Sequence, residues 1–156
     1  MSGGHSENIP ECGICRLTAR IRAGQFPDFI AELEQTWVIL GDAQFYRGYC
    51  VLLLKEHFTE LHELSRARAH VLFDEIQTAA RAISRIVRPA RLNYECLGNQ
   101  EPHLHWHIFP RTAEDPMRTE PVWMRPEMER KVRLEDRDRL MLIDSLRSEL
   151  AASRQL

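Results

Sequence analysis

Apolar residues recur at helical spacing in three parts of the chain. The longest stretch covers residues 65–87, where Ser65 can cap the first turn and Pro89 prevents the helix from continuing. A shorter stretch at residues 12–23 stops at Gly24, which is typical of the end of a short helix. A terminal helix is predicted from apolar positions spaced three or four residues apart, which are Leu140, Ile143, Leu146 and Leu150.

Other segments are apolar throughout or alternate between apolar and polar residues, as strands do. β-Branched and aromatic residues fill residues 36–40, while residues 49–54 are apolar throughout, which predicts a strand buried on both faces. Residues 29–33 predict a short strand paired with the first of these. Residues 92–97 and 103–109 alternate across a tight linker, so they should pair as antiparallel neighbours. The predicted fold is therefore α+β, with an antiparallel sheet, a long helix and a C-terminal helical extension.

Length and charge set limits on the class of protein. A chain of 156 residues that is 44% hydrophobic suits one compact domain, and 23 acidic against 21 basic residues argue against binding nucleic acid through a basic field. No stretch approaches the roughly 20 apolar residues of a membrane helix, and the start lacks the apolar run of a secretory signal. We therefore expect a cytoplasmic protein that does not bind membranes.

The chain divides into three predicted parts. Residues 1–11 contain no periodic apolar pattern and predict a flexible tail, residues 12–111 hold the sheet and the long helix, and residues 112–156 form the extension. Between residues 111 and 139, eight basic and eight acidic residues surround three prolines. This mixture predicts a solvated, irregular segment before the terminal helix.

The alternating histidines in residues 103–109 carry the clearest chemistry. On a strand, period-two geometry places His103, His105 and His107 on one face, while the apolar residues between them face the core. A neutral imidazole nitrogen can attack phosphorus and then leave again, and a second, protonated histidine would stabilise the developing charge. The rival interpretation is a hydrolase with a tri-histidine zinc site. Such sites commonly take ligands from separate strands, and no acidic base lies inside this motif.

The same segment closely resembles the histidine triad (HIT) family of nucleotide-binding proteins. The family signature, His-φ-His-φ-His-φ-φ with φ apolar, is matched at all seven positions of residues 103–109. Gly41 and Asp42, the Arg47 and Gly48 pair, and residues 55–57 also follow in family order. The resemblance covers roughly residues 12–111 and implies a HIT-like fold. Residues 97–111 look most like the bacterial diadenosine polyphosphate hydrolase-like branch.

The resemblance implies a nucleotide hydrolase or transferase that cleaves at the α-phosphate of a dinucleoside polyphosphate or a nucleoside phosphoramidate. His105 matches the nucleophile that forms a nucleotidyl-histidine intermediate, and His107 would contact the scissile phosphate oxygens. Asp42 matches the residue that binds the ribose hydroxyls, and Asn93 and Gln100 match polar nucleotide-binding positions. Family members pair through the long helix and a sheet edge, which implies a homodimer. The alternative is a zinc-stabilised nucleotide-binding module without turnover.

Cys12 and Cys15 have the two-residue spacing that lets both sulfurs face one metal ion. A redox pair is a second interpretation, but redox motifs of this type follow a strand, and only a polar segment precedes Cys12. A third is that both thiols are reduced and unliganded. In metal-binding relatives, two histidines join the cysteine pair as ligands. One follows the second main strand and the other is the first histidine of the triad, and the resemblance matches them to His57 and His103. It therefore implies a structural zinc bound by all four residues.

Overall fold

The computed structural model describes residues 12–153, so the predicted tail at residues 1–11 lies outside the described part of the chain. A five-stranded antiparallel sheet has the order β1-β2-β3-β5-β4. The α+β prediction is confirmed. The strands are β1 Phe29–Glu32, β2 Thr36–Leu40, β3 Cys50–Leu54, β4 Arg91–Glu95 and β5 His105–Arg111. The α-helices are α1 Gly13–Arg22, α2 Arg66–Val87, α3 Glu127–Arg130 and α4 Asp136–Ser153, with short 3-10 helices at Leu61–Glu63 and Val122–Met124.

Helix α2 begins and ends where local chemistry requires. The Ser65 hydroxyl accepts a hydrogen bond from the Arg68 N–H at 3.3 Å, which satisfies one of the unpaired donors of the first turn. At the other end Arg88 adopts a left-handed conformation with φ 52°, one residue before Pro89. These features confirm the predicted bounds of the long helix.

The sheet is covered on both faces, which explains why every residue of β2 and β3 is buried. One face packs against α2 and α4 through residues such as Leu52 and Ile108. The opposite face, which we call the site face, carries Val51 and Phe109 and packs against α1 and Val122. No helix in residues 12–153 combines the length and apolar character needed to cross a membrane.

The terminal helix differs from its prediction in one position. Ile143, Leu146 and Leu150 are buried as expected, but Leu140 is 51% exposed and Leu142 is buried instead. Helix α4 packs against both α2 and β1. The buried residues of α4 are therefore those that contact α2 or β1. Leu140, close to the start of the helix, is not among them.

Most residues of the segment 111–139 are exposed, as predicted, but three of its charged residues are buried. Arg111, Asp115 and Arg125 are only 2%, 4% and 6% exposed. Asp115 accepts a hydrogen bond from Arg111 Nε at 3.0 Å and forms an ion pair with Arg125 Nη2 at 2.7 Å. Burial is tolerated because each charge is paired and hydrogen-bonded, so no isolated charge is removed from water.

Candidate functional site

Four cysteine and histidine side chains converge beside the start of α1. Cys12 caps the helix, and its Sγ accepts from the Cys15 N–H at 3.4 Å, so both sulfurs lie at the same end of the helix. The Nδ1 atom of His103 lies 3.6 Å from each sulfur. The Nδ1 atom of His57 lies 3.4 Å from Cys15 Sγ and 3.2 Å from His103 Nδ1. The structure thus brings together all four residues expected to bind zinc.

The orientation of His103 is set by the main chain. Its Nε2 lies 2.8 Å from the Leu54 carbonyl oxygen, which can only accept, so the proton of neutral His103 is on Nε2. Burial, the largest influence, lowers the pKa of His103 to about 4, which keeps the ring neutral at pH 7. The Nδ1 lone pair is therefore directed at the two sulfurs and His57, as a metal ligand requires.

The spacing of these donor atoms fits tetrahedral zinc. Typical zinc bonds to nitrogen and sulfur imply tetrahedral edges of about 3.4 Å between two nitrogens and about 3.6 Å between nitrogen and sulfur. The corresponding distances here are 3.2 Å between the nitrogens and 3.4 to 3.6 Å between nitrogen and sulfur. These four of the six edges match tetrahedral zinc, and all four donor atoms lie within 4.8 Å of one another, so the residues present fit a zinc ion.

The triad strand begins two residues later than predicted. His105 and His107 lie on β5, whereas His103 precedes it. The Leu104 N–H donates to the Phe58 carbonyl at 2.7 Å, outside the ladder with β3, and the paired residues start at His105. The three histidines therefore do not share one strand, and the first is directed into the cysteine cluster.

The middle histidine has a fixed tautomer. His105 Nδ1 lies 2.6 Å from the carbonyl oxygen of His103. Because a carbonyl oxygen can only accept, Nδ1 carries the proton of neutral His105 and Nε2 keeps its lone pair. Within residues 12–153, Nε2 makes no hydrogen bond, so the lone pair is available to a ligand. Neutral His105 can act as a nucleophile in this state.

The surroundings of the third histidine favour its neutral form. His107 packs among aromatic rings, with Phe109 at 5.8 Å and Trp123 at 5.5 Å between ring centroids. Burial and, to a smaller extent, His105 lower the pKa of His107 to about 3. These surroundings disfavour the charged imidazole, so His107 is neutral at pH 7 in the free protein. Its Nδ1 lies 2.6 Å from the hydroxyl oxygen of Tyr49.

Glu95 and Trp123 also reach the site, and sequence reasoning missed both. Trp123 contacts His107 edge-on, and its indole N–H donates to the Glu95 carboxylate. Glu95 is paired with His107 in the register of β4 and β5, and burial raises the pKa of its carboxyl. Strand alternation from Asn93 could have indicated Glu95. Trp123 lies in the irregular extension, where no periodic pattern marks it.

The expected nucleotide-binding residues occupy different surroundings. Asp42 is exposed, lines a cavity of about 600 Å³, and its carboxylate lies 3.3 Å from Lys131 Nζ. Asn93 lies on β4, where its Oδ1 accepts from Arg111 Nη1 at 2.8 Å. Gln100 is exposed in the loop between β4 and β5. The first two therefore already have polar partners that a ligand would have to share or displace.

Comparison with known proteins identifies the family to which the chain belongs. A family model described as HIT domain matches residues 25–114. Among solved structures, a histidine triad protein from Marinobacter aquaeolei VT8 has a TM-score of 0.70 at 21% identity, covering 86% of this chain and 94% of that one. A zinc-bound histidine triad family protein from Mycobacterium smegmatis has a TM-score of 0.65 at 22% identity, covering 93% and 96%. At these identities, the two similarities show a shared fold. None of the curated protein sequences compared with the chain matches it.

Proposed function

Because the chain belongs to the HIT family, we propose that it is a nucleotide hydrolase or transferase with His105 as its nucleophile. The observation that carries this proposal is the hydrogen bond from His105 Nδ1 to the His103 carbonyl, which leaves Nε2 unprotonated. The substrate is a dinucleoside polyphosphate or a nucleoside phosphoramidate, and cleavage occurs at the α-phosphate. The sequence likeness to the bacterial diadenosine polyphosphate hydrolase-like branch favours the first of these substrates.

The proposed reaction has two displacements at phosphorus. The Nε2 lone pair of His105 attacks the α-phosphorus, and the bond to the leaving group breaks, so that the leaving group takes the electron pair and later a proton. In the second step, water attacks phosphorus and releases a proton to the solvent, the phosphorus–nitrogen bond of the nucleotidyl-histidine breaks, and its electron pair returns to Nε2. His107 hydrogen-bonds a non-bridging phosphate oxygen in both steps.

Three further side chains complete the proposed nucleotide site. The Asp42 carboxylate accepts hydrogen bonds from two ribose hydroxyls, which requires it to exchange its contact with Lys131 for the sugar. Asn93 and Gln100 donate amide hydrogen bonds to phosphate or to the leaving group. In this division of the chain, residues 12–111 form the catalytic domain, and the segment from residue 112 forms an extension that contributes contacts beside the pocket.

We also propose that Cys12, Cys15, His57 and His103 bind a structural zinc ion. The tetrahedral spacing of the donor atoms and the zinc-bound structural neighbour support this assignment. Bound zinc would supply folding free energy by tying the start of α1 to the sheet. The chemical step is assigned to His105, which is not one of the four ligands.

A homodimer and a cytoplasmic location remain predictions. Dimerisation is supported by β4, whose outer edge has no partner strand in residues 12–153, and by Phe73 and Tyr94, which are 44% and 49% exposed. Sedimentation analysis should give the mass of two chains, and Tyr94→Lys should shift the population toward one. A wild-type mass of one chain at micromolar concentration would contradict the dimer.

The nucleophile is tested by substitution and by trapping. The wild type should release mononucleotide from a diadenosine polyphosphate, while His105→Asn should lose at least about 1,000-fold in kcat because no lone pair attacks phosphorus. Rapid quenching should trap a nucleotidyl adduct on His105, identified by mass spectrometry. His62→Asn, which changes an exposed histidine, serves as the matched control.

The two candidate functions differ in this experiment. If the wild type binds nucleotides but turns over neither diadenosine polyphosphates nor nucleoside phosphoramidates, the zinc-stabilised binding module replaces the enzyme. Turnover within tenfold of wild type in His105→Asn would overturn the covalent mechanism. Loss of activity in the His62→Asn control would show that histidine substitution acts through folding.

A further inference from the structure

The ring of Tyr49 is held in one position beside the triad. Tyr49 is 4% exposed and stacks on Phe109 with 4.0 Å between ring centroids and an interplanar angle of 7°. Gly41 also lies against this ring, since an added Cβ atom there would be 2.1 Å from a Tyr49 ring carbon. Because the Tyr49 ring packs against both the Phe109 ring and the Gly41 main chain, it has little freedom to tilt, and its hydroxyl is fixed in place.

The Tyr49 hydroxyl meets His107 at hydrogen-bond distance, and burial fixes the direction of the bond. The oxygen lies 2.6 Å from His107 Nδ1, and within residues 12–153 it makes no other hydrogen bond. If Nδ1–H were the donor, the phenolic proton would be buried without an acceptor, which is unfavourable. If the phenol is the donor, both groups are satisfied. Burial also raises the pKa of Tyr49 far above its usual value, so the phenolic proton is present at neutral pH.

We propose that Tyr49 is a positioning residue whose hydroxyl donates to His107 Nδ1 and so keeps the single proton of neutral His107 on Nε2. This inference rests on the proposed function, in which His107 contacts the phosphate. Nε2 of His107 makes no hydrogen bond within residues 12–153, so its N–H is available to a phosphoryl oxygen.

The two strand histidines are then held in opposite tautomers. His105 has its proton on Nδ1 and a lone pair on Nε2 because its partner is a carbonyl oxygen. His107 has its proton on Nε2 because its partner is a phenol. In their neutral forms, one ring therefore offers a nucleophile and the other a donor. A positively charged His107 is not required for the free protein to be ready for substrate.

The test removes the hydroxyl and keeps the ring. In Tyr49→Phe the stacking on Phe109 is retained, while His107 loses the partner that selects its tautomer. We expect kcat to fall about 30-fold and KM to change less than about threefold, because the lost hydrogen bond acts in the transition state. In nitrogen-15 spectra of labelled histidine, the wild-type His107 should show a protonated Nε2. Tyr49→Phe should show a mixture of both tautomers.

Tyr46→Phe is the matched control. Tyr46 belongs to the same aromatic cluster, with its ring edge-on to Phe109 at 5.5 Å, but its buried hydroxyl makes no hydrogen bond within residues 12–153. Removing that hydroxyl should change kcat less than about twofold and leave the His107 spectrum unaltered. An equal loss of kcat in both variants would assign Tyr49 a packing role and overturn the proposal.

The spectra separate this proposal from the proposed function. A wild-type His107 protonated on Nδ1 overturns the role of Tyr49, whether or not the Tyr49→Phe protein folds. A protein that turns over no nucleotide refutes the proposed function, while the tautomer of His107 still decides the hydrogen bond. Tyr49→Phe with kcat within twofold of the active wild type also overturns the proposal. The His107 resonances are assigned by their absence in His107→Gln.

Discussion

The segments that precede and follow the sheet along the chain both pack against the site face, but different interactions hold them there. The N-terminal anchor consists of Cys12, Cys15, His57 and His103. The C-terminal anchor consists of Arg111, Asp115 and Arg125. The N-terminal anchor gathers donors whose lone pairs point at a common centre, so we expect an ion to hold them together. The C-terminal anchor has opposite charges in direct contact and needs no added component.

The comparison shows how differently two buried polar clusters can respond to solution conditions. The N-terminal anchor should depend on metal supply, because it consists of metal-ligating donor atoms that all lie within 4.8 Å of one another. The C-terminal anchor should depend on pH, because its central group is a carboxylate held between two guanidinium groups. Variants that disrupt one anchor at a time therefore test whether the N-terminal anchor depends on metal and the C-terminal anchor on pH.

Loss of the metal should have the largest effect. Cys15→Ser, or a strong chelator added to the wild type, should destabilise the protein by about 4 kcal/mol or more, which corresponds to a decrease in Tm of about 8 to 16 °C. Calorimetry measures this change, and elemental analysis should give one zinc per wild-type chain. Cys50→Ala is the control, because Cys50 is a buried thiol on β3 outside the cluster.

The response to chelator distinguishes the two cysteine variants. Cys50→Ala should retain zinc and lose stability when chelator is added, as the wild type does. Cys15→Ser should be insensitive to chelator. Wild-type protein that contains no metal and has an unchanged Tm in chelator would contradict the metal assignment.

Damage to the C-terminal anchor should have the next largest effect. Asp115→Asn leaves two buried guanidinium groups without their carboxylate, so unfolding free energy should decrease by about 3 kcal/mol at pH 7. Denaturant unfolding measures the change. Asp144→Asn, which alters an exposed pair with Arg147, should change stability by less than about 0.5 kcal/mol. A similar loss in both variants would refute the contrast between buried and exposed pairs.

The contribution of Asp115 should disappear in acid. Burial alone would raise the pKa of its carboxyl, but the Met117 N–H and the two guanidinium groups outweigh burial and lower the pKa. A lowered pKa stabilises the fold above the unfolded value, near 3.9, and this stabilisation is lost as the pH falls through the folded value. The stability difference between wild type and Asp115→Asn should be constant from pH 7 to about 5 and shrink below pH 4. A difference that widens in acid would contradict the sign of the shift.

The smallest effect is expected where the extension meets the pocket. Lys131 and Asp42 are 47% and 68% exposed in their side chains, so solvent weakens their interaction. Lys131→Met should lower Tm by less than about 2 °C, and raising the salt concentration should remove the difference. A decrease of more than about 5 °C would place this pair among the structural anchors.

Local patterns account for what could be predicted from the sequence. The bounds of β2 were predicted because its residues are β-branched and aromatic, and those of α2 because Ser65 and Pro89 mark its ends. The N-terminal anchor was found because cysteine and histidine are rare and their spacing matches a family pattern. These features depend on residues close together in the sequence or on rare residue types, and both can be recognised from the sequence alone.

Contacts between common residues across the fold could not be predicted. Arg111, Asp115 and Arg125 belong to residue types that are usually exposed, and nothing in their spacing separates them from the charged residues around them. Tyr49 was assigned to an apolar strand, and only the register of β3 against β5 brings its hydroxyl to His107. The low pKa of His107 could not be predicted for the same reason, since it depends on rings contributed by distant segments.

The hydrogen bond that orients His105 has a consequence for how this site can change by mutation. Its acceptor is the main-chain oxygen of His103, and all twenty amino acids carry that oxygen. Substitution at position 103 can therefore abolish the metal ligand and keep the acceptor, so a lineage could lose zinc and retain its nucleophile. Insertion or deletion of one residue between positions 103 and 105 would instead move the carbonyl away from Nδ1. Position 103 tolerates a change of side chain better than a change of chain length.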